Sequence, residues 1–326
     1  MQSILGIDVS KDKLDLILMV NDKRYHRVIS NNSKGFQVMD KWLKSYHAED
    51  LHACLEATGQ YGESVAEWLY SQGYQVSVVN PARIKRYGES KLHRNKTDKA
   101  DADLIAEFCL KEKPDLWKPL DPEIKRLRAL IRSLQALKDN LQQEKNRKDS
   151  GEQDAWVSND LDTHINFLQE RIKATNREIK ELMDQNPGLK SQQKLLTSIP
   201  GIGDLTANIL LAEIGDFSAL ENAPQLAAYA GLNPKAHRSG SSVYKKTRIS
   251  KQGRSELRCC LYMPAVVSLS CNSVTQSLSE RMTKTNHQSM EIIVAAMRKL
   301  LHLAYGVLKN QLPFDPNYGA QFNFSS

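Results

Sequence analysis

Four carboxylates and a small group of serines are the residues with chemistry to offer. Asp8 closes the apolar run "SILGID", and Glu56 closes "LHACLE". Strand ends in an α/β sheet open toward the crevice where ligands collect, so carboxylates from two strands could converge there. Asp98 and Asp101, in "TDKADADLIAEF", stand three apart at the start of a helical pattern and so share a face. Asp103 falls about 140° round the helix from Asp98 by the 3.6-residue period and should point elsewhere. Early helical acids also complement the helix dipole, and Asp98 alone reads as a cap. Taken together, Asp8, Glu56, Asp98 and Asp101 are the oxygen donors that hard divalent cations take, and paired ions can clamp the attacking and leaving oxygens of a phosphodiester. The expected cofactor is Mg2+, with Mn2+ as a substitute.

The serines lie in "HRSGSSVYKKTRISKQGR", His237 to Arg254: Ser239, Ser241 and Ser242 in a glycine-bearing turn, followed by a basic run. A serine hydroxyl is a poor nucleophile until a base, a lowered pKa or a metal activates it, and a phosphate target must be neutralised by nearby cations. Arg238, Lys245, Lys246, Arg248, Lys251 and Arg254 could supply the neutralisation. No histidine–acid pair with triad spacing supplies the activation, so on residues alone "SGSS" stays open between a flexible polar turn and a reactive group.

The charge is placed unevenly. The 326-residue chain has 45 Lys+Arg against 38 Asp+Glu, a net charge of +7, and Gly231 to Arg258 alone holds eight basic residues and one acid. A second basic stretch, "ARIKRYGESKLHRNK", carries Arg83, Lys85, Arg86, Arg94 and Lys96. Positive charge concentrated in this way suits a polyanion, with nucleic acid the common case; a solvated basic face is the plainer alternative. Five cysteines lack metal-type spacing and read as reduced thiols of a cytosolic protein. No signal peptide or membrane span is expected, because no segment approaches about twenty uncharged apolar residues.

Positioning these groups requires ordered elements. "SILGID", "KLDLILMV" and "KRYHRVIS" read as three strands of an antiparallel meander. "SKGFQVMDKWLKSYH" follows with helical spacing and Ser33 as its cap. "LHACLEA" is a strand, "YGESVAEWLYSQG" a helix closed by Gly73, and "YQVSVVNP" a strand ended by Pro81. The order β-β-β-α-β-α-β-α, ending in "TDKADADLIAEFCLKE", is that of a ribonuclease H-like α/β fold. From about Pro122 to Gln185, leucines spaced by three and four predict an antiparallel helical hairpin, with "NRKDSGEQDAWVSND" as its polar loop. The third region reads as mainly helical, with the basic segment a loop between helices. Ile292, Ile293, Ala296, Leu300, Leu303 and Leu308 of its last helix are expected in the core. Within it "SIPGIGD" places Gly201 and Gly203 between two helical patterns, as in helix-hairpin-helix modules that present backbone N–H groups to phosphate.

At this point the motifs carry a resemblance. "GIDVSKDKLDL", "EATGQYGESVAEWLYSQGYQVSVVNP", "NKTDKADADLIAEF", "SIPGIGDLTANILLAEIGD", "AAYAGLNP", "SGSSV" and "LRCCLYMPAVV" resemble, in order and spacing, the DEDD insertion-sequence transposases described as bridge-RNA-guided recombinases. The resemblance implies a RuvC-like (Holliday-junction-resolvase-like) domain over residues 1–118, a coiled-coil arm over 119–188 and a C-terminal transposase domain over 189–326. It places the acidic tetrad on Asp8, Glu56, Asp98 and Asp101, and an essential serine on Ser239. It further implies a covalent phosphoserine link to DNA with Mg2+ at the acidic site, and a noncoding bridge RNA pairing with donor and target DNA. Its members assemble as homo-oligomers, dimers joining into a tetramer, in the prokaryotic cytosol. The rival expectations are a metal-dependent hydrolytic nuclease that resolves junctions and a non-catalytic nucleic-acid-binding scaffold.

Overall fold

A computed structural model describes residues 3–57, 59–91, 97–151, 154–217, 220–239 and 243–317, with side chains described except at 60, 236–239 and 243–247. The chain divides into two compact units, Met1–Pro119 and Leu120–Ser326.

In the first unit the largely buried apolar runs of β1 (Ser3–Val9) and β2 (Lys13–Val20), with the mostly exposed β3 (Lys23–Ser30), build the expected meander. The parallel strands β4 (Leu51–Glu56) and β5 (Gln75–Val79) extend it to a five-stranded sheet of order β3-β2-β1-β4-β5, which is the ribonuclease H-like arrangement. Between them, α1 (Ser33–Ser45) and α2 (Gln60–Ser71) make the crossovers. Strand side chains alternate in direction, so the sheet has two chemically distinct faces. Leu5, Ile7, Leu14, Leu16, Leu18, Ala53 and Leu55 pack with Phe36, Met39, Trp42 and Leu69 of the two helices. Ile4, Ile17 and Cys54 pack instead with Ala102, Ile105, Ala106 and Cys109 of α4 (Asp98–Glu112).

The cap of α1 is Asn32, whose side chain accepts from Gly35 N at 3.0 Å, rather than Ser33. Thr97 caps α4, accepting from Ala100 N at 3.2 Å, and Asp98 is the first helical residue. Pro81 starts an additional helix, α3 (Pro81–Ser90), because proline at N1 has no orphan N–H to satisfy and Asn80 supplies the cap. Gly73 ends α2 with φ +85, as its position suggests.

The second unit begins with the helical hairpin α5 (Pro122–Asp149) and α6 (Ala155–Gln185). Both helices run deep into the segment read as its loop, leaving only 150–154 between them, and Asp154 caps α6 by accepting from Val157 N at 3.0 Å. The hairpin shares one core with α7 (Pro187–Thr197), α8 (Asp204–Ile214), α9 (Ala223–Tyr229), α10 (Ser255–Cys271) and α12 (Ser289–Asn310), while α11 (Ser273–Lys284) packs on α10 and α12. On α12, Ile292, Ala296, Leu300 and Leu308 are buried, and Ile293 and Leu303 half-buried. The basic segment is no loop: β6 (Pro234–Ser239) and β7 (Val243–Ile249) form an antiparallel hairpin. Val, Tyr, Thr and Ile in "VYKKTRI" favour extended backbone, a preference that the interleaved charges obscured. Among the described residues no single helix is long and apolar enough to cross a membrane.

Gly6 decides how closely α4 approaches the sheet: a Cβ there would lie 2.3 Å from Ala102 O and 2.5 Å from Ala106 N, both backbone atoms that cannot rotate away. Gly6→Ala is therefore expected to destabilise the first unit by about 2–3 kcal/mol through overpacking, measurable by denaturant unfolding of the intact chain.

Candidate active site

The acidic site grows from the sheet register. Gly6 pairs with Cys54 and Ile7 with Leu55 in the parallel β1–β4 ladder, so Asp8 and Glu56 emerge side by side at the carboxyl ends of their strands, on the face that α4 covers. The buried stripe of α4, through Ala102, Ile105, Ala106 and Cys109, continues toward its N-terminus into Asp98 and Asp101. Packing that stripe against Gly6 brings the first turn of α4 over the ends of β1 and β4. Asp98 and Asp101 thus come within electrostatic reach of Asp8, and Asp101 within reach of Glu56. Asp103 is turned away and pairs with Arg24.

Their mutual repulsion is visible in their protonation. Burial first, then the charges of Asp101, Asp98 and Asp15, push the Asp8 carboxyl up to about 6. Glu56 is also raised, by burial and then by Asp8 and Asp101. Asp98 is lowered, because the Lys13 ammonium donates to its Oδ2 at 2.6 Å. Lys13 Nζ also lies 3.2 Å from Asp15 Oδ2, and Asp15 Oδ1 is 3.1 Å from His26 Nε2. Asp15 stands directly opposite Asp8 in the antiparallel β1–β2 ladder. Sequence reasoning missed Asp15 and Lys13; the signal was a carboxylate in the middle of the apolar strand "KLDLILMV", which is costly to bury without a partner.

All-oxygen donors crowded by like charge suit a divalent cation. In the described geometry they are not drawn to ligating spacing: no group of three or more His, Cys, Asp or Glu among the described residues could hold an ion as it stands.

The other predicted site residues lie apart from this cluster in sequence and role. On α3, Arg83, Lys85 and Arg86 are exposed, with the Arg83 guanidinium 5.5 Å from the Phe108 ring centre. Arg94 and Lys96 fall outside the described residues, as do Ser241 and Ser242. Gly201 has φ +101, but its missing Cβ makes room for Ser268 and Pro264 O, so it serves helix packing. Gly203 has open space around it and precedes α8, whose N-terminus has no side-chain cap.

Ser239 ends β6 and pairs with Val243 across the hairpin; its side chain, with those of Arg238, Lys245 and Lys246, lies outside the described residues. The base of this hairpin is held firmly. Arg254 N donates to Tyr229 O at 2.9 Å, and Gly253 passes so close that a Cβ would lie 2.3 Å from Tyr229 O. Arg258 Nη1 donates to Ala230 O at 2.9 Å and Gly253 O at 3.1 Å. Arg254 then bonds the buried Glu213 of α8 at 3.3 Å, and Arg132 of α5 approaches the same carboxylate at 3.5 Å. Arg254, read from sequence as a nucleic-acid contact, is here tied to Glu213 and Tyr229. Arg248 and Lys251 are exposed.

Residues 193–280 match the family described as transposase IS116/IS110/IS902, and residues 5–151 match a DEDD transposase family associated with IS110. Over 318 residues the chain is 37% identical to the pilin gene-inverting protein of Moraxella bovis, covering 96% of this chain and 98% of that relative. The chain belongs to the IS116/IS110/IS902 transposase family. It is accordingly a DNA transposase or recombinase. The transposase of insertion sequence IS1111A from Coxiella burnetii is 26% identical over 79% of this chain and 75% of its own length. Among solved structures, T. thermophilus RuvC in complex with a Holliday junction substrate aligns with 34% of this transposase and 96% of that chain, at TM-score 0.25 and 14% identity. The fold assignment rests on the strand order alone.

Two outcomes follow from this geometry. A carboxyl raised from 3.8 to about 6 on folding binds its proton more tightly in the folded state, so the cost of ionising Asp8 is absent below 3.8 and complete above about 6. In buffer free of divalent ions, Asp8→Asn should melt above wild type at neutral pH, with the gain shrinking as pH falls through that window. Glu213→Ala leaves two guanidiniums without their buried partner and should cost about 3 kcal/mol, read as a lowered denaturant midpoint.

Proposed function

We propose that this transposase cuts and rejoins DNA strands through a covalent phosphoserine linkage at Ser239, with Asp8, Glu56, Asp98 and Asp101 holding Mg2+, or Mn2+ in its place. The observation that carries the reading is the convergence of those four carboxylates at the ends of β1 and β4, under the first turn of α4. When bound, the ion would supply charge compensation and Lewis-acid polarisation of the scissile phosphate.

In the forward step the Ser239 hydroxyl gives up its proton and its oxygen bonds to phosphorus. The phosphorus bond to the sugar oxygen breaks, and that oxygen takes a proton. Rejoining reverses the sequence: a sugar hydroxyl of the new partner strand attacks the phosphoserine, and serine is released with its proton. No bond energy is lost to water, which is the advantage of a covalent carrier over hydrolysis.

Donor and target DNA are the partners, with a noncoding bridge RNA selecting both by base pairing while the protein holds backbones. Arg83, Lys85, Arg86, Arg94 and Lys96 form one backbone-holding set, and Arg238, Lys245, Lys246, Arg248 and Lys251 a second, beside the serine. The uncapped start of α8 after Gly203 suits a further phosphate. The Moraxella bovis relative is a pilin gene-inverting protein, and inverting a gene requires DNA strands to be cut and rejoined. Homo-oligomers, with dimers joining into a tetramer, would bring enough copies of each unit to two DNA duplexes.

The test is direct. Incubation with cognate DNA, copurified RNA and Mg2+, followed by denaturation, should trap a protein–DNA adduct that Ser239→Ala and Asp8→Ala both abolish. Cleavage to free ends that survives Ser239→Ala would instead mark a hydrolytic nuclease. Absence of cleavage by wild type, with binding intact in Asp8→Ala, would mark a scaffold.

A further inference from the structure

We propose that Lys13 is a resident cation of the acidic site, an ammonium group that occupies Asp98 and Asp15 until a divalent ion displaces it, and so sets the ion concentration at which the site loads. This rests on the reading that the carboxylate cluster holds such an ion.

Lys13 begins β2, and its Nζ reaches Asp98 Oδ2 at 2.6 Å across to α4 and Asp15 Oδ2 at 3.2 Å on its own strand. These are not incidental acids. Asp98 belongs to the cluster that raises Asp8, and Asp15 faces Asp8 across the ladder with only 6% of its side chain exposed. Asp15 is further held by His26, whose Nε2 lies 3.1 Å from its Oδ1. Asp8, Asp15, Glu56, Asp98 and Asp101 are thus coupled acids near the ends of β1 and β4, and among the described residues Lys13 is a cation bonded to two of them, Asp98 and Asp15.

The ammonium is also replaceable. Lys13 and Asp98 are about half exposed, at 48% and 55% of their side chains, and a pair so open to water is held weakly. A long flexible stem lets the ammonium swing into solvent without moving backbone. A divalent ion brings twice the charge to the same oxygens, whereas the lysine delays its entry and keeps the empty cluster from repelling itself apart. Removing the ammonium should therefore strengthen ion binding, an effect that a damaged fold would not produce.

The probe is Mn2+ alone, titrated into the intact chain without nucleic acid and followed by the loss of its free-ion electron paramagnetic resonance signal. Lys13→Met should bind Mn2+ roughly three- to tenfold more tightly than wild type, and Lys13→Arg should return the affinity to the wild-type value. Lys11→Met changes the net charge equally but removes no bond to these acids, and should shift affinity by less than about twofold. Equal or weaker binding by Lys13→Met, or an equal gain from Lys11→Met, overturns the inference while leaving the metal site standing. Wild-type Mn2+ binding that persists unchanged in Asp8→Asn/Asp98→Asn overturns the metal site, and the inference with it.

Discussion

The approach of one helix to one strand, at a residue without a side chain, sets the geometry of the acidic site. With Gly6 in β1, the backbone of α4 at Ala102 and Ala106 can settle onto the sheet at a distance that any Cβ would forbid. The apolar stripe of the helix supplies the driving force: Ala102, Ile105, Ala106 and Cys109 are buried against Ile4, Ile17 and Cys54. The same contact fixes where the first turn lies, and Asp98 and Asp101 have no freedom to be elsewhere. Hydrophobic burial one and two turns away thus brings the charges of Asp98 and Asp101 to bear on Asp8.

That crowding works against stability, and the structure offsets it in two ways. Asp8 and Glu56 hold their protons more tightly than free carboxyls, which reduces the repulsion among them. Lys13 contributes a positive charge at the rim, bonded to Asp98 and Asp15. Burial and like charge at a cleft are the usual signature of a site tuned for chemistry rather than for folding. The second unit uses charge differently. There Glu213 is buried with arginines from α5 and from the root of the β6–β7 hairpin, so the segment bearing Ser239 stands on a fixed base. Arg254, expected from the sequence at phosphate, is bonded to Glu213 and Tyr229, and Gly253 beside it lets the chain pass close to Tyr229 O.

Much of this was legible beforehand because the deciding features are local. Apolar runs of strand length mark β1 and β2, leucine spacing marks α5 and α6, and the three-residue step from Asp98 to Asp101 puts both on one face. The failures are also local in cause. The hairpin at "VYKKTRI" was hidden because its lysines and arginines outweigh the β-branched residues between them. Pro81 follows the end of β5 and equally begins α3. The α5–α6 loop looks longer in the sequence than it is, because exposed helical turns carry the same polar residues as loops.

By itself the sequence determined the identity of the carboxylates, the strand order that carries two of them, and the membership of the chain in its family through motifs spread along nearly its whole length. Only the tertiary structure decided that Asp15 and Lys13 belong to the acidic site and that Arg254 belongs to the frame. The physical reason is the same for all three. Pairing across a ladder, an ammonium reaching from a strand to a helix, and a guanidinium turned inward to a buried glutamate are set by register and packing; the local pattern shows that a carboxylate within "KLDLILMV" needs a partner, not which partner it has.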